Sequence, residues 1–115
     1  MQIEALQKFC LSLPAVTEDV KWGNDLCFSV GSKMFCVVSL EGPFKCAFKV
    51  PDEEFDELST KDGFMPAPYM ARAKWVLVTK PSVLNKKEWE NYVRQSYELI
   101  KAKLTRKLKK DLGIE

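Results

Sequence analysis

The chain has 115 residues, 46% of them hydrophobic and 30% charged, so it is long enough to bury roughly 65% of its unfolded surface in one ordinary core. That balance excludes a disordered chain, and no apolar run approaches the ~20 residues of a membrane span. With no histidine present, the commonest general base, the Ser/His and Cys/His nucleophile systems and histidine metal sites are all excluded.

Residues 1–12 place Ile3, Leu6, Phe9 and Cys10, followed by Leu13, on one helical stripe, which Pro14 ends. The start MQIEALQKFCLSLP lacks the basic segment and small-residue cleavage site of a secretory signal. A cytoplasmic location is therefore expected. Residues 17–23, TEDVKWG, read as a short edge strand or as a loop ending in the Gly23-Asn24-Asp25 turn signal, with the strand favoured. From Leu26 the hydrophobic period changes to two. Leu26, Phe28 and Val30 alternate with Cys27 and Ser29, Gly31-Ser32 forms a hairpin turn, and Met34 to Leu40 is the returning strand. Glu41-Gly42-Pro43 turns the chain again into a third strand, with Phe44, Cys46, Phe48 and Val50 on one face and Lys45, Ala47 and Lys49 on the other.

Pro51 to Leu58 carries proline and acids in its first turn and reads as a short helix. Its carboxylates Asp52, Glu53, Glu54, Asp56 and Glu57 fit a solvated helix start better than a cation site. In GFMPAPYMARAKWVLV, Pro66 and Pro68 push Met65 and Ala67 into extended conformations. Phe64 to Tyr69 is therefore expected to be a stiff crossing without ladder hydrogen bonds, held by packing of Phe64, Met65 and Tyr69 across the core. Lys74 to Thr79 follows as a strand with Trp75 and Leu77 on one face and Val76 and Val78 on the other. Trp75→Ala is expected to cost about 3–5 kcal/mol in a denaturant melt, as a large core deletion.

Asn85-Lys86-Lys87-Glu88 has the form of a capping box, with Leu84 and Trp89 at the positions of a hydrophobic staple. The stripe Trp89, Tyr92, Val93, Ser96, Ile100, Leu104 carries this helix to at least Lys103, and the basic end at 101–115 continues it or frays. The order of elements predicts one domain of the α+β class, an antiparallel meander with helices packed on one face.

Cys10, Cys27, Cys36 and Cys46 lie 17, 9 and 10 residues apart with no CxxC pair. Zinc-ribbon and thioredoxin readings fail on that spacing, so four reduced thiols acting as small hydrophobes are expected. Charge is uneven. Residues 1–70 hold 6 Lys/Arg and 11 Asp/Glu, whereas residues 71–115 hold 12 and 5. Lys101, Lys103, Arg106 and Lys107, with Lys109 and Lys110, crowd the end of the chain, and Arg72, Lys74 and Lys80 flank the last strand. Such charge can neutralise phosphates, although a solubilising helix end needs the same lysines.

The ordered set LSLPAVTED, Trp22-Gly23, Phe28-x-Val30-Gly31-x-Lys33-Met34-Phe35, Phe48-Lys49-Val50-Pro51, Gly63-Phe64-x-Pro66-Ala67-Pro68-Tyr69, Lys74-Trp75-Val76 and Ser96-Tyr97 strongly resembles the MmcQ/YjbR family. The resemblance covers about residues 9 to 104. It implies a small bacterial cytoplasmic domain with a CyaY-like (frataxin-like) fold that binds DNA through a double wing of β-hairpins. Frataxin-type iron binding is not carried over, because the first helix holds only Glu4. The resulting expectation is a non-enzymatic, monomeric DNA-binding module without cofactor. Lys33, Lys45 and Lys49 would form one wing, Arg72, Lys74 and Lys80 would flank another strand, and the residues after Lys103 would form a flexible basic tail whose removal costs little affinity. A small-ligand domain with a closed pocket near Trp22 and Trp75, or a protein-interaction adaptor, are the alternatives.

Overall fold

A computed structural model describes residues 1–115. The fold is α+β, a six-stranded antiparallel sheet with the long helices on one face. Helix α1 (Ile3–Ser12) precedes four meandering strands, β1 (Val16–Lys21), β2 (Asp25–Val30), β3 (Lys33–Ser39) and β4 (Cys46–Lys49). Helix α2 (Asp52–Ser59) leads to β5 (Phe64–Pro66) and β6 (Trp75–Val78), and the chain closes with α3 (Lys86–Lys101) and α4 (Arg106–Asp111). The strand order is β1-β2-β3-β4-β6-β5. No helix is long and apolar enough to cross a membrane.

The core lies between the sheet and the helices. Leu26, Phe28, Val30, Val38, Cys46, Phe48, Val76 and Val78 point to that side, where Leu6 and Cys10 of α1, Phe55 and Leu58 of α2, and Trp89, Val93, Tyr97 and Ile100 of α3 cover them. Period-two alternation in the strands and the helical stripes therefore meet on one surface. The Asn85 capping box forms as the spacing predicts, with Glu88 N donating to Asn85 Oδ1 at 2.8 Å and Asn85 N to Glu88 Oε1 at 3.0 Å. All four cysteines are buried free thiols. The Cys36 and Cys46 sulfurs lie 3.5 Å apart, and the Cys10 thiol is pushed far up by its hydrogen bond to Cys36 and by burial.

Three elements differ from expectation. The first is the proline crossing, where Phe64–Pro66 is an edge strand paired with Val76–Val78, and Ala67 N donates to Trp75 O. An outermost strand tolerates Pro66 because its outward side needs no ladder donor. Only Phe64 packs on the core; Met65 is exposed and Tyr69 fully so. The second is the chain end. Helix α3 stops at Lys101, and Thr105 caps a separate helix, its side chain accepting from Leu108 N at 3.1 Å. Leu104 and Ile114 are buried in the main core with Leu108 packed against it, so this segment is anchored rather than a loose tail. Truncation after Lys103 removes core side chains and is expected to lower stability as well as charge.

The third difference is a bulge. The β2–β3 register shifts between Phe28, opposite Cys36, and Ser29, opposite Met34, which leaves Phe35 as an extra residue in β3. Phe35 and Cys36 consequently both face the core. The freed carbonyl of Phe35 accepts from the Ser96 hydroxyl at 2.6 Å, and Ser96 Oγ in turn accepts from Lys49 N at 2.9 Å. A serine of α3 thus joins β3 to β4 where their own ladder, which ends at Cys36 and Phe48, runs out.

Candidate nucleic-acid interface and the open sheet face

Strand register assigns each basic residue to one end of the sheet. Lys33 opens β3 after the Gly31-Ser32 turn, both of whose residues have positive φ, as a two-residue hairpin requires. This turn sits against the chain end: a Cβ on Gly31 would lie 2.7 Å from Leu104 Cδ1 and 3.1 Å from Leu108 Cδ2. Glycine is needed there for space as well as for φ. Lys49 lies opposite Trp75, so Lys49, Lys74 and the Ala71–Ala73 turn holding Arg72 belong to this same end. Lys103, Arg106 and Lys107 complete it, and Arg106, Lys107, Lys110 and Glu115 line one shallow depression there.

Lys49 is not a surface charge. It is 7% exposed, and its ammonium donates to the carbonyl of Ala73. Burial holds that ammonium below the usual lysine range, Lys103 and Lys74 add repulsion, and Asp52 opposes them. Lys74 extends over the Phe55 ring at 5.1 Å, and Lys101 over Tyr97 at 5.9 Å. Lys33, Arg72, Lys103, Arg106 and Lys107 are exposed and form no ion pair.

Lys45 and Lys80 stand at the other end. Cys46 pairs with Val78, which puts the residue before β4 and the residues after β6 together, about 13 Å along β4 from Lys49. Lys80 is held by Asp62 at 2.9 Å, the one ion pair of the molecule. The expected wing of Lys33, Lys45 and Lys49 is therefore not one surface, because Lys45 is remote from Lys33 and Lys49 is enclosed. Spacing along a strand reports the face of a residue but not how a later segment such as residues 71–73 will cover it.

The helix-free face of the sheet carries a second feature. Trp75 is buried there against Ala47 and Ala67, with Met34, Val37, Met70 and Leu77 around them. Next to this small cluster is a cleft of about 620 Å³, lined by Val37, Ala47 and Leu77 as its floor and by Trp22, Tyr69 and Met70 at its walls. Asp25, Ser39 and Lys45 also reach it. Trp75 lies beside the lining, not in it, so the expected pocket near Trp22 exists but is open rather than closed. The sequence predicts Trp22 at the end of an edge strand and Tyr69 as packing across the core, whereas β1 ends at Lys21 and both rings are exposed. Two large aromatics beside turn glycines and prolines were the available signal.

No curated protein matches the chain. In solved structures it is similar to a crystal structure of a protein from Pseudomonas syringae, at 19% identity and a TM-score of 0.72, covering 87% of this chain and 99% of that one. This likeness establishes a shared fold. The family model described as YjbR matches residues 11–99, which takes in every strand and reaches from the end of α1 almost to the end of α3, and the chain belongs to the YjbR family.

Proposed function

We propose that the protein is a non-enzymatic DNA-binding module that holds duplex phosphates with the basic end of its sheet. The observation that carries this reading is the meeting of the β2–β3 hairpin with the chain end, which gathers the exposed, unpaired Lys33, Arg72, Lys103, Arg106 and Lys107 around the enclosed Lys49. Like charges so placed repel one another, and a polyanion relieves that repulsion while releasing its own counterions. The Gly31-Ser32 turn supplies one hairpin, packed on the chain end, and α4 supplies a second basic element beside it. The frataxin-like arrangement belongs to this reading, supported by α1 and α3 on the same face of an antiparallel sheet. Cytoplasmic location and a monomeric state are part of the same proposal.

With about four phosphates neutralised, log affinity should fall against log salt with a slope near −3.6, a loss of roughly 100-fold between about 50 and 200 mM salt. Fluorescence anisotropy of a labelled duplex measures it. The combined Lys33→Gln, Lys103→Gln and Arg106→Gln variant should flatten the slope by about 2.7, one phosphate for each charge. Lys45→Gln with Lys80→Gln should leave it unchanged. Undetectable binding at low salt rejects the DNA reading, and equal weakening by both variants rejects its location.

A further inference from the structure

The cleft on the helix-free face is separate from the basic end and independent of the DNA reading. Its volume of about 620 Å³ falls within the range of small-molecule sites, ~300–1,000 Å³, and its lining is mainly apolar. Two features set it apart from an ordinary depression. Trp22 is 69% exposed with φ 53°, and Tyr69 is fully exposed with φ 66°. Bulky residues rarely adopt this left-handed conformation, and burial of their rings does not repay the strain. Both rings instead stand at the walls of one cleft.

The polar groups are confined to one row across three strands. Asp25 pairs with Ser39, and Ser39 N donates to the carbonyl of Lys45 at 3.0 Å. The Ser39 hydroxyl is engaged with Glu41 O at 2.9 Å. The Lys45 ammonium has no hydrogen bond or ion pair, and the Asp25 carboxylate has no ion pair. The next row inward, Val37, Ala47 and Leu77, is apolar.

We infer that this cleft binds a small planar aromatic anion, its rings over Val37, Ala47 and Leu77 between Trp22 and Tyr69, and its acid group on Lys45. Flat walls favour stacking, and the one unpaired cation on the cleft's polar row selects a single negative charge at the ligand's edge. Asp25 accepts hydrogen bonds on the same row and rejects a second anionic group there.

The probes are 2-naphthoate and its neutral amide, 2-naphthamide, titrated into the full chain while backbone amide resonances are followed. Naphthoate should shift residues of β3, β4, β6 and the 67–70 loop and bind about tenfold more tightly than the amide. Lys45→Gln should abolish that preference without lowering amide affinity, Asp25→Asn should strengthen naphthoate binding by roughly two- to threefold, and Tyr69→Ala should weaken both probes. Equal affinity for the two probes, or a preference that survives Lys45→Gln, overturns the inference. So does a Trp22 environment that changes with protein concentration, which would put a second copy of the chain in the cleft.

Discussion

Trp89→Ala is expected to remove about 3–5 kcal/mol of stability, the range for a fully buried tryptophan. Its ring is wholly enclosed where α3 begins, edge-on to Phe44 at 5.5 Å and to Phe48 at 6.3 Å, and its Nε1 donates to Pro81 O at 3.1 Å. One residue thereby fastens α3 to β4 and to the turn that follows β6. Against a total of ~5–15 kcal/mol for a domain of ordinary stability, the loss brings the protein near unfolding at ambient temperature. Urea denaturation followed by circular dichroism measures it. Trp89→Phe keeps most of the aromatic packing and loses the hydrogen bond, so it should cost less than half as much. A loss below roughly 1 kcal/mol for the alanine variant would show that the α3–β4 contact is not part of the cooperative core.

Ser96→Ala is expected to cost about 2–5 kcal/mol although it deletes a single oxygen. That oxygen is completely buried and serves two backbone groups, the Phe35 carbonyl and the Lys49 amide. Without it both are left unsatisfied in the core, at ~1–3 kcal/mol each. Ser96→Cys keeps the volume and a weak donor and should lie between the two. Loss of amide protection at Lys49 in hydrogen exchange would distinguish this cause from general loosening. A stable Ser96→Ala variant with Lys49 still protected would show that the strands pair without the serine.

Local signals in the sequence were legible where a few neighbouring residues decide the outcome. The Asn85–Glu88 box, the Gly31-Ser32 hairpin and the alternation of Phe44, Cys46 and Phe48 each rest on chemistry within a short span. The same reading assigned α+β architecture and most of the core. It missed what distant segments impose. Ser96 looked like one more member of a helical stripe, whereas its role depends on partners 47 and 61 residues away. Lys49 alternates like a surface residue, yet the turn at Ala71–Ala73 encloses it. Tyr97 lay outside the apolar stripe drawn for α3, yet it is buried edge-on to Phe35, and its hydroxyl donates to the distant Pro14 carbonyl at 2.6 Å. The candidate site divides in the same way. The basic character of the chain end was plain from composition, but its union with the β2–β3 hairpin rests on Gly31, Leu104 and Leu108 meeting in space.

The two outermost strands decide how the protein behaves when crowded with copies of itself. The β5 edge is only three residues long and ends in Pro66, which has no N–H to offer a newcomer. The β1 edge is longer, but antiparallel pairing of two such strands about their centre would set Glu18 opposite Asp19 twice over, carboxylate against carboxylate. Neither margin templates another chain without repulsion or a missing donor, so the sheet resists growing into a fibril even though its inner strands are largely apolar.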